Sequence, residues 1–247
     1  MWDDAKALSG LAATLGAMAV AALAVALVVW LARQPAFAIR EVVVLTPLAR
    51  ASAPHLEAAI RDEIRGTFFT LDLERARSAL RAVPWVRSVA IRRQWPHRLE
   101  IAIEEHEPLA RLGDATLVNT LGEPFEASYA AGLPRFSGPA AYTGEMTRRY
   151  RAWSVMLAPL ALEVAEVGMS ARGGWRLRAN GSAGVMTVEL GRDDPDARLE
   201  RFVSAYSRTV GALARQGRRI DYVDLRYRNG FAARVPDFRE AAAKSRG

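Results

Sequence analysis

The fold is decided by residues 68–110, which read FFTLDLERARSALRAVPWVRSVAIRRQWPHRLEIAIEEHEPLA. Asp72 precedes apolar residues at helical spacing, which predicts a helix that Asp72 caps and that ends at Pro84. Beyond it, residues 86–93 and then 99–103 alternate between apolar and polar side chains, the pattern of half-buried strands. The stretch therefore predicts one helix followed by two strands.

A further strand and helix precede this stretch. Residues 37–45 are rich in β-branched side chains, which predicts a strand. Ser52 and Pro54 mark a helix start, and Leu56 and Ile60 follow at helical spacing. The predicted order up to residue 107 is β-α-α-β-β.

An uncharged stretch lies between Lys6 and Arg33. A helix over its residues 8–31 would be roughly 36 Å long, enough to cross a hydrocarbon core of about 30 Å. The alternative is a cleaved signal peptide with its site at Ala36-Phe37-Ala38, but the apolar region is too long and its start is acidic. We therefore expect an uncleaved transmembrane helix over residues 8–32, whose orientation the local charge does not set.

Composition limits the chemistry that this chain can perform. It has 34 basic and 27 acidic residues, and residues 33–247 alone carry a net charge of +8. The absence of cysteine excludes disulfides, thiolate nucleophiles and Cys-zinc sites. No Gly-x-Ser-x-Gly, Walker or dinucleotide motif occurs, and the Glu104–Glu107 cluster alternates across a strand, so its members cannot all bind one ion. We expect no enzymatic activity, no cofactor and no metal, which disfavours a membrane-tethered enzyme.

The second half reads as a strand-rich unit with helices. Residues 117–127 suggest a hairpin around Gly122, and residues 128–142 read as a loop rich in glycine and proline. The pattern further predicts a helix at 145–157, strands at 164–169, 175–179 and 185–190, one helix from Asp194 to Gly217, and a last hairpin over 220–235. The turn of that hairpin is Arg228-Asn229-Gly230, a strong hairpin signal.

Three strings resemble the FtsQ/DivIB family of bacterial cell-division proteins, in the family's order. They are residues 68–110 as quoted above, LVNTLGEPFEA at 117–127 and RRIDYVDLRYRNGFAAR at 218–234. The resemblance implies an α+β fold with an N-terminal transmembrane helix, a POTRA domain of order β-α-α-β-β and a second, mostly antiparallel β domain with helices. The implied boundaries are 1–7 for a short cytoplasmic segment, 8–32 for the helix, 37–107 for the POTRA domain, 108–238 for the β domain and 239–247 for a flexible tail.

The resemblance also implies a function. The chain would be a single-pass protein of the cell inner membrane, with its N-terminus cytoplasmic and its bulk periplasmic, acting at the division septum. It would be a non-enzymatic divisome scaffold, essential for septum formation, that links early and late division proteins. Its β domain would capture the FtsB–FtsL complex by strand addition, and its POTRA domain would contact other division proteins.

Strand addition requires that the last strand lie at a sheet edge. Residues 231–235 would then present unpaired N–H and C=O groups to a partner strand. The resemblance places Arg226 and Tyr227 at an Arg-Tyr pair that the partner packs against, and Asn229 and Gly230 in the following turn. Tyr227 would be the anchor of the interface. The alternative is that Tyr227 is an ordinary core residue, because its parity matches that of Val223 and Leu225.

One position departs from the family pattern. Val235 stands where a family member has a late-strand tryptophan. Either Phe231 or Phe238 compensates, or this part of the interface differs.

The arginines fall into three runs. These are Arg87, Arg92, Arg93 and Arg98; Arg172, Arg176 and Arg178; and Arg215, Arg218, Arg219, Arg226 and Arg228. A solvated face is one interpretation of each run. Nucleic acid is disfavoured because no aromatic residues are interleaved. An acidic partner fits better, and the resemblance matches Arg218 and Arg172 to basic residues, of which Arg172 can pair with a partner carboxylate.

A second functional hypothesis remains open. A POTRA-type periplasmic chaperone or assembly factor would handle outer-membrane or secreted proteins. It would need several POTRA units or a following barrel, and only one such unit is readable in the sequence.

Overall fold

A 28-residue helix, α1 (Ala5–Ala32), opens the part of the chain that the computed structural model describes, residues 5–236. Its segment Ser9–Ala32 has a mean hydropathy of 2.5, and none of its most apolar stretch is buried against the rest of the chain. The side chains of Leu23 and Trp30 stay 74% and 60% exposed. An exposed apolar helix of this length is a candidate membrane span, as the sequence predicted.

The first compact unit extends to Glu105. After α1 its elements are β1 (Glu41–Val44), α2 (Ala53–Glu63), α3 (Leu73–Arg81), β2 (Val86–Gln94) and β3 (Arg98–Glu105). The sheet order is β1-β3-β2, with β1 parallel and β2 antiparallel to β3. The predicted order β-α-α-β-β is therefore confirmed.

Capping and packing hold this unit together. Asp72 caps α3 as predicted, since its Oδ1 accepts from the N–H groups of Glu74 and Arg75 at 3.0 Å. The alternating residues of β3 form the centre of the core, with Leu99 and Ile101 fully buried. The helix-facing side of the sheet is therefore the apolar side, as the alternation in the sequence predicted.

The first strand is shorter than predicted. The sequence pattern predicts extended backbone over residues 37–45, but Pro35–Phe37 form a 3-10 turn and Ala38 makes only an isolated bridge with Thr67. Regular pairing begins where Glu41 lies opposite Arg98. The β-branched run still supplies the strand, while the residues before it are held by the loop that precedes α3.

The second compact unit begins at His106. Its strands are β4 (Pro108–Leu112), β5 (Thr116–Asn119), β6 (Pro124–Glu126), β7 (Arg135–Ser137), β8 (Glu163–Met169), β9 (Trp175–Gly181), β10 (Gly184–Gly191), β11 (Tyr222–Asp224) and β12 (Ala232–Arg234). They form one sheet in the order β12-β11-β10-β9-β8-β7-β4-β5-β6. Most neighbours are antiparallel; the parallel pairs are β10–β11, β7–β8 and β4–β7.

Three helices belong to this unit: α4 (Thr143–Leu157), α5 (Pro195–Tyr206) and α6 (Val210–Arg215). They contribute Trp153, Phe202 and Val210 to the core. Trp153 is fully buried and donates its indole N–H to Asp196 Oδ1 at 2.7 Å, which connects α4 to α5. The α+β fold class with a mostly antiparallel second domain is confirmed.

Two local predictions in this unit were wrong. The segment 128–142 contains β7, whose three residues lie between β4 and β8 although they carry no strand pattern of their own. The helix predicted from Asp194 to Gly217 is broken into α5 and α6. Gly211 allows the break, because a Cβ there would lie 2.7 Å from the ring of Tyr206, which turns back across it.

The start of α5 also differs from the prediction. Asp194 stands at the N-cap but makes no side-chain capping bond, and its φ is +44°. The carboxylate that forms hydrogen bonds at this end of α5 is instead that of Asp196. It accepts from the indole N–H of Trp153 at 2.7 Å and from Arg149 Nη1 at 2.9 Å. A tertiary contact between helices has replaced the local cap.

Candidate partner-binding site

The last strand of the described chain lies at the edge of the large sheet. β12 runs antiparallel to β11, with Tyr222 opposite Arg234, Val223 opposite Ala233 and Asp224 opposite Ala232. Within residues 5–236 no strand pairs with the outer side of β12, and its three residues are exposed. Main-chain donors and acceptors on that side are therefore open to another strand.

The connection between β11 and β12 is fixed at its start by an ion pair. Asp224 is buried, and its carboxylate accepts from the main-chain N–H of Arg226 at 3.0 Å and from two nitrogens of the Arg226 guanidinium. The hydrogen bonds from Arg226 hold the pKa of Asp224 below its ordinary value, and Asp224 in turn raises the pKa of Arg226. Leu225 N–H donates to Glu189 O at 2.8 Å, which attaches the same turn to β10.

Tyr227 lies on the surface. Val223 and Leu225 are buried at 0% and 3% exposure, whereas Tyr227 is 58% exposed. Strand β11 ends at Asp224, so the alternation that would have carried Tyr227 into the core no longer applies. The core alternative for this side chain is therefore wrong.

The two hydrophobic residues that flank β12 behave differently from Tyr227. Phe231 packs edge-on against Phe202 of α5, with ring centroids 5.5 Å apart, and Val235 is also partly buried against the core. Phe238, the other candidate to replace the family's tryptophan, lies outside the described residues. Phe231 thus secures the hairpin to α5 and is not displayed in the way that Tyr227 is.

The structure divides the predicted site residues between two ends of the hairpin. Arg226, Tyr227, Asn229 and Gly230 are exposed at the end where β11 passes into β12. Arg218 lies before the other end of β11, where its N–H donates to Leu213 O at 3.1 Å. A partner strand that contacted both groups would have to run the full length of β12.

Arg172 belongs to the end that carries Tyr227. It stands in the turn before Trp175, and Trp175 pairs with Gly191 at the end of β10. Gly173, next to Arg172, lies beside the side chain of Arg192, since a Cβ built on Gly173 would be 3.8 Å from it. Gly191 lies beside the side chain of Arg226, since a Cβ built on Gly191 would be 3.1 Å from it. These contacts place Arg172 and Arg226 along one end of the sheet.

A cleft beside the hairpin adds two basic residues, Arg198 and Arg201, that the three arginine runs do not include. It has a volume of about 340 Å³ and lies between α5 and the β11–β12 connection, with Arg198, Arg201 and Arg228 at its walls and Phe202 and Phe231 among its apolar lining. In the sequence, Arg198 and Arg201 could have been found as a pair of arginines three positions apart in α5, outside the apolar stripe that contains Leu199 and Phe202. The cleft can accept an acidic or mixed acidic and apolar segment.

The other arginines are largely engaged within the chain. In the first run Arg87 pairs with Glu104 at 2.7 Å and Arg98 with Glu41 at 2.8 Å. In the later runs Arg178 pairs with Glu166 and Arg219 with Asp221. Four arginines of these runs form no ion pair among the described residues and no side-chain hydrogen bond there: Arg92, Arg176, Arg172 and Arg228. The last two concern the candidate site. Both of these lie at the Tyr227 end of the hairpin or beside the cleft.

The dense acidic cluster has structural roles. Glu104 accepts from Arg87 and from Ser88 Oγ at 2.9 Å. Glu105 accepts the main-chain N–H groups of residues 49–51 at 2.6–3.2 Å. These neighbours take different partners, as expected for adjacent residues of a strand.

Comparison with known proteins identifies the family. Residues 37–106 match the POTRA domain, FtsQ-type, and residues 110–226 match Cell division protein FtsQ/DivIB, C-terminal. Cell division protein FtsQ of Burkholderia pseudomallei is 37% identical over 97% of this chain and 96% of its own. The protein of that name from Nitrosospira multiformis is 37% identical over 95% and 99%, and that from Escherichia coli is 36% identical over 68% and 61%.

The family match ends at Arg226, so Tyr227 and β12 lie beyond it. The family is non-enzymatic, in agreement with the prediction from the motifs. With one FtsQ-type POTRA unit, one FtsQ/DivIB C-terminal unit and near full-length relatives, the chain belongs to the FtsQ/DivIB family of cell-division proteins.

Proposed function

We propose that this chain is a single-pass inner-membrane scaffold of the divisome that captures the FtsB–FtsL complex by adding a partner strand to β12. The observation that carries the proposal is the unpaired outer side of β12 within the described residues. A partner strand placed there would continue the sheet through main-chain hydrogen bonds, which tolerate variation in side chains. Family membership favours this role over a chaperone for outer-membrane proteins.

Side chains near the hairpin would supply specificity. Tyr227 offers a large exposed ring next to the open edge. Arg226 is held in place by Asp224, while Arg172 and Arg228 carry charge that no acidic residue of the described chain neutralises. A partner segment with acidic residues beside a strand would satisfy both features.

The proposal includes the topology and the domain limits. Residues 1–7 are cytoplasmic, 8–32 span the membrane, and the POTRA domain (37–107) and β domain (108–238) are periplasmic, with 239–247 as a tail. The apolar α1 supports the span. Protease digestion of spheroplasts tests the orientation: the globular units should be cleaved without lysis, and protection of these units would contradict it.

Partner binding is tested with a matched pair of tyrosine variants of the full-length protein in detergent. Tyr227→Ala should weaken binding of purified FtsB–FtsL roughly 30-fold, the loss expected for an aromatic anchor worth about 2 kcal/mol. The control is Tyr142→Ala, since Tyr142 is 43% exposed in the same unit but lies away from the hairpin. Equal affinities of the two variants would refute the role of Tyr227.

Strand addition itself is tested with proline at two successive positions. Along β12 successive N–H groups point to opposite sides, so of Ala232→Pro and Ala233→Pro one removes a bond to β11 and the other removes an outward donor. The variant that keeps the wild-type free energy of unfolding identifies the outward position. That variant should lose partner binding, and if it binds normally the strand-addition mechanism is wrong.

A further inference from the structure

The end of the first unit at which the membrane helix leaves it is tied to that helix. Thr67, which is 7% exposed, donates its hydroxyl to the main-chain oxygen of Ala32 at 2.6 Å, and Ala32 is the last residue of α1. Phe68 N–H donates to Phe37 O at 2.7 Å. The loop before α3 is therefore held directly against the end of the apolar span.

This loop carries an exposed aromatic cluster. The ring of Phe69 lies 5.2 Å from that of Phe37 and 5.3 Å from that of Phe68, both edge-on. Even so, Phe69 remains 52% exposed. The cluster thus packs on itself and still presents an apolar surface a few residues from the helix end.

The turn between β2 and β3 lies at the same end of the unit. Arg40 N–H donates to His97 O at 2.9 Å, and the first pair of the β1–β3 ladder is Glu41 with Arg98. Trp95, in this turn, is 71% exposed. A second large aromatic side chain is therefore displayed on the side from which α1 departs.

Cationic side chains accompany these rings. Arg33 and Arg40 are exposed, and neither forms an ion pair within residues 5–236. Arg93 donates to Leu71 O at 2.5 Å, which links the end of β2 to the loop that carries Phe69. Exposed aromatic rings together with unpaired arginines beside an apolar helix are the combination that favours a membrane interface.

We infer that this end of the first unit, defined by Phe69, Trp95, Arg33 and Arg40 and called here the membrane face, rests on the bilayer surface and binds anionic lipid headgroups. Lipid is the occupant because the membrane face adjoins the span that enters the same bilayer. The inference rests on the membrane anchoring proposed above. The rings would enter the interfacial layer while the arginines contact phosphate groups. Such contact would hold the unit in one orientation over the membrane.

The absence of cysteine from the chain makes a direct depth measurement practicable. Nitroxide labels are placed on Phe69→Cys and, separately, Trp95→Cys of the full-length protein in vesicles containing phosphatidylglycerol. Leu45→Cys is the matched control, because Leu45 is a 56% exposed apolar residue just past the far end of β1. Leu23→Cys, within α1, reports whether the span is inserted.

For each label we compare its accessibility to oxygen with its accessibility to a water-soluble reagent, and a higher ratio means a deeper position in the bilayer. If the membrane face rests on the bilayer, this ratio should differ in a graded way among the four sites. Leu23 should give the highest ratio, Phe69 and Trp95 intermediate values, and Leu45 the value of a water-exposed site. If Leu23 reads as inserted while Phe69 and Trp95 match Leu45, the membrane face is refuted and the anchor stands. If Leu23 itself reads as aqueous, the anchoring on which the inference rests has failed. Unchanged melting of each labelled protein excludes unfolding as the cause.

The lipid charge requirement is tested on the Trp95 label. Replacing phosphatidylglycerol by phosphatidylcholine, or introducing Arg33→Gln with Arg40→Gln, should move the Trp95 ratio toward that of Leu45. High salt should act in the same direction, because it screens exposed charges. If the Trp95 ratio stays intermediate under all three changes, the face makes apolar contact with the bilayer but does not recognise anionic headgroups. That result would overturn the anionic part of the inference.

Discussion

Arg226 takes up both carboxylate oxygens of Asp224: Nε lies 2.9 Å from Oδ1 and Nη2 lies 2.6 Å from Oδ2. The pair closes the turn between the sheet and its edge strand, because the N–H of Arg226 also donates to Oδ1 at 3.0 Å. Asp224 is buried while Arg226 remains exposed. One residue thus fixes the turn and presents charge to solvent.

The pH dependence of stability follows from this pair. Because hydrogen bonds from Arg226 lower the pKa of Asp224 in the folded state, the pair stabilises the fold fully above the ordinary aspartate pKa of about 3.9. This contribution is lost as the pH falls through the lower, folded-state pKa. Asp224→Asn should therefore be less stable than wild type at pH 7 in urea unfolding, and the difference should shrink toward pH 3.

The matched control is Asp221→Asn, which breaks the more exposed pair with Arg219. It should change the free energy of unfolding less than Asp224→Asn does at pH 7. A difference between wild type and Asp224→Asn that is the same at both pH values would contradict the assigned role of the carboxylate.

The cleft between α5 and the hairpin predicts a salt-dependent association rate. Charge reversal in Arg201→Glu combined with Arg228→Glu should slow association with the acidic partner several-fold at low salt. Arg208→Glu serves as the control, because this substitution makes the same change of charge at one site and Arg208 does not line the cleft. In stopped-flow measurements the difference should vanish near 1 M salt, where the Debye length is about 3 Å; a salt-independent difference would argue against steering.

Two glycines with positive φ predict unequal losses of stability. Gly113 has φ +65° and no described atom within 4 Å of where a Cβ would lie, whereas a Cβ on Gly122, at φ +86°, would lie 2.6 Å from Gly144 Cα. Gly113→Ala should lose about 1–2 kcal/mol from backbone strain alone. Gly122→Ala should lose about 1–3 kcal/mol more, because backbone must move. Denaturant unfolding of the two variants measures the difference. Equal losses would show that α4, which contains Gly144, can move away from the added methyl group without a measurable cost in free energy.

Glu105 predicts a local change in the first unit. Burial raises the pKa of its carboxyl group, but hydrogen bonds from the N–H groups of residues 49–51 more than offset this, and the pKa is lowered overall. Glu105→Gln should speed amide exchange at residues 49–51 about tenfold at pH 7, because weakening these hydrogen bonds should lower the free energy of local opening by roughly 1–2 kcal/mol.

The neighbouring residue provides the control for that measurement. Glu104→Gln removes a surface pair with Arg87 and should leave exchange at 49–51 unchanged. Because the pKa of Glu105 is lowered on folding, its protective effect should be complete above the ordinary glutamate pKa of about 4.3 and should fade below it. Equal exchange in the two variants would contradict the role of Glu105.

The sequence by itself determined several elements whose signal is local. The apolar run of α1, the Asp72 cap and the alternation of β3 depend on periodicity and on side chains near in the chain, and each is present. The family followed from three strings in order. These features do not need distant residues to exist. The tight turn predicted at Arg228-Asn229-Gly230 was wrong: neither Asn229 nor Gly230 has a positive φ, and residues 225–231 join β11 to β12.

Only the tertiary structure decided where the strands and rings come to lie. β7 is too short to carry a periodic pattern and exists because β4 and β8 flank it. Strand parity suggested a buried Tyr227, but the end of β11 at Asp224 leaves the ring exposed. Sheet order, the open side of β12 and the meeting of Phe69 with the end of α1 all depend on contacts between residues far apart in sequence. A local pattern specifies which face of an element is apolar, but it does not specify which neighbour covers that face.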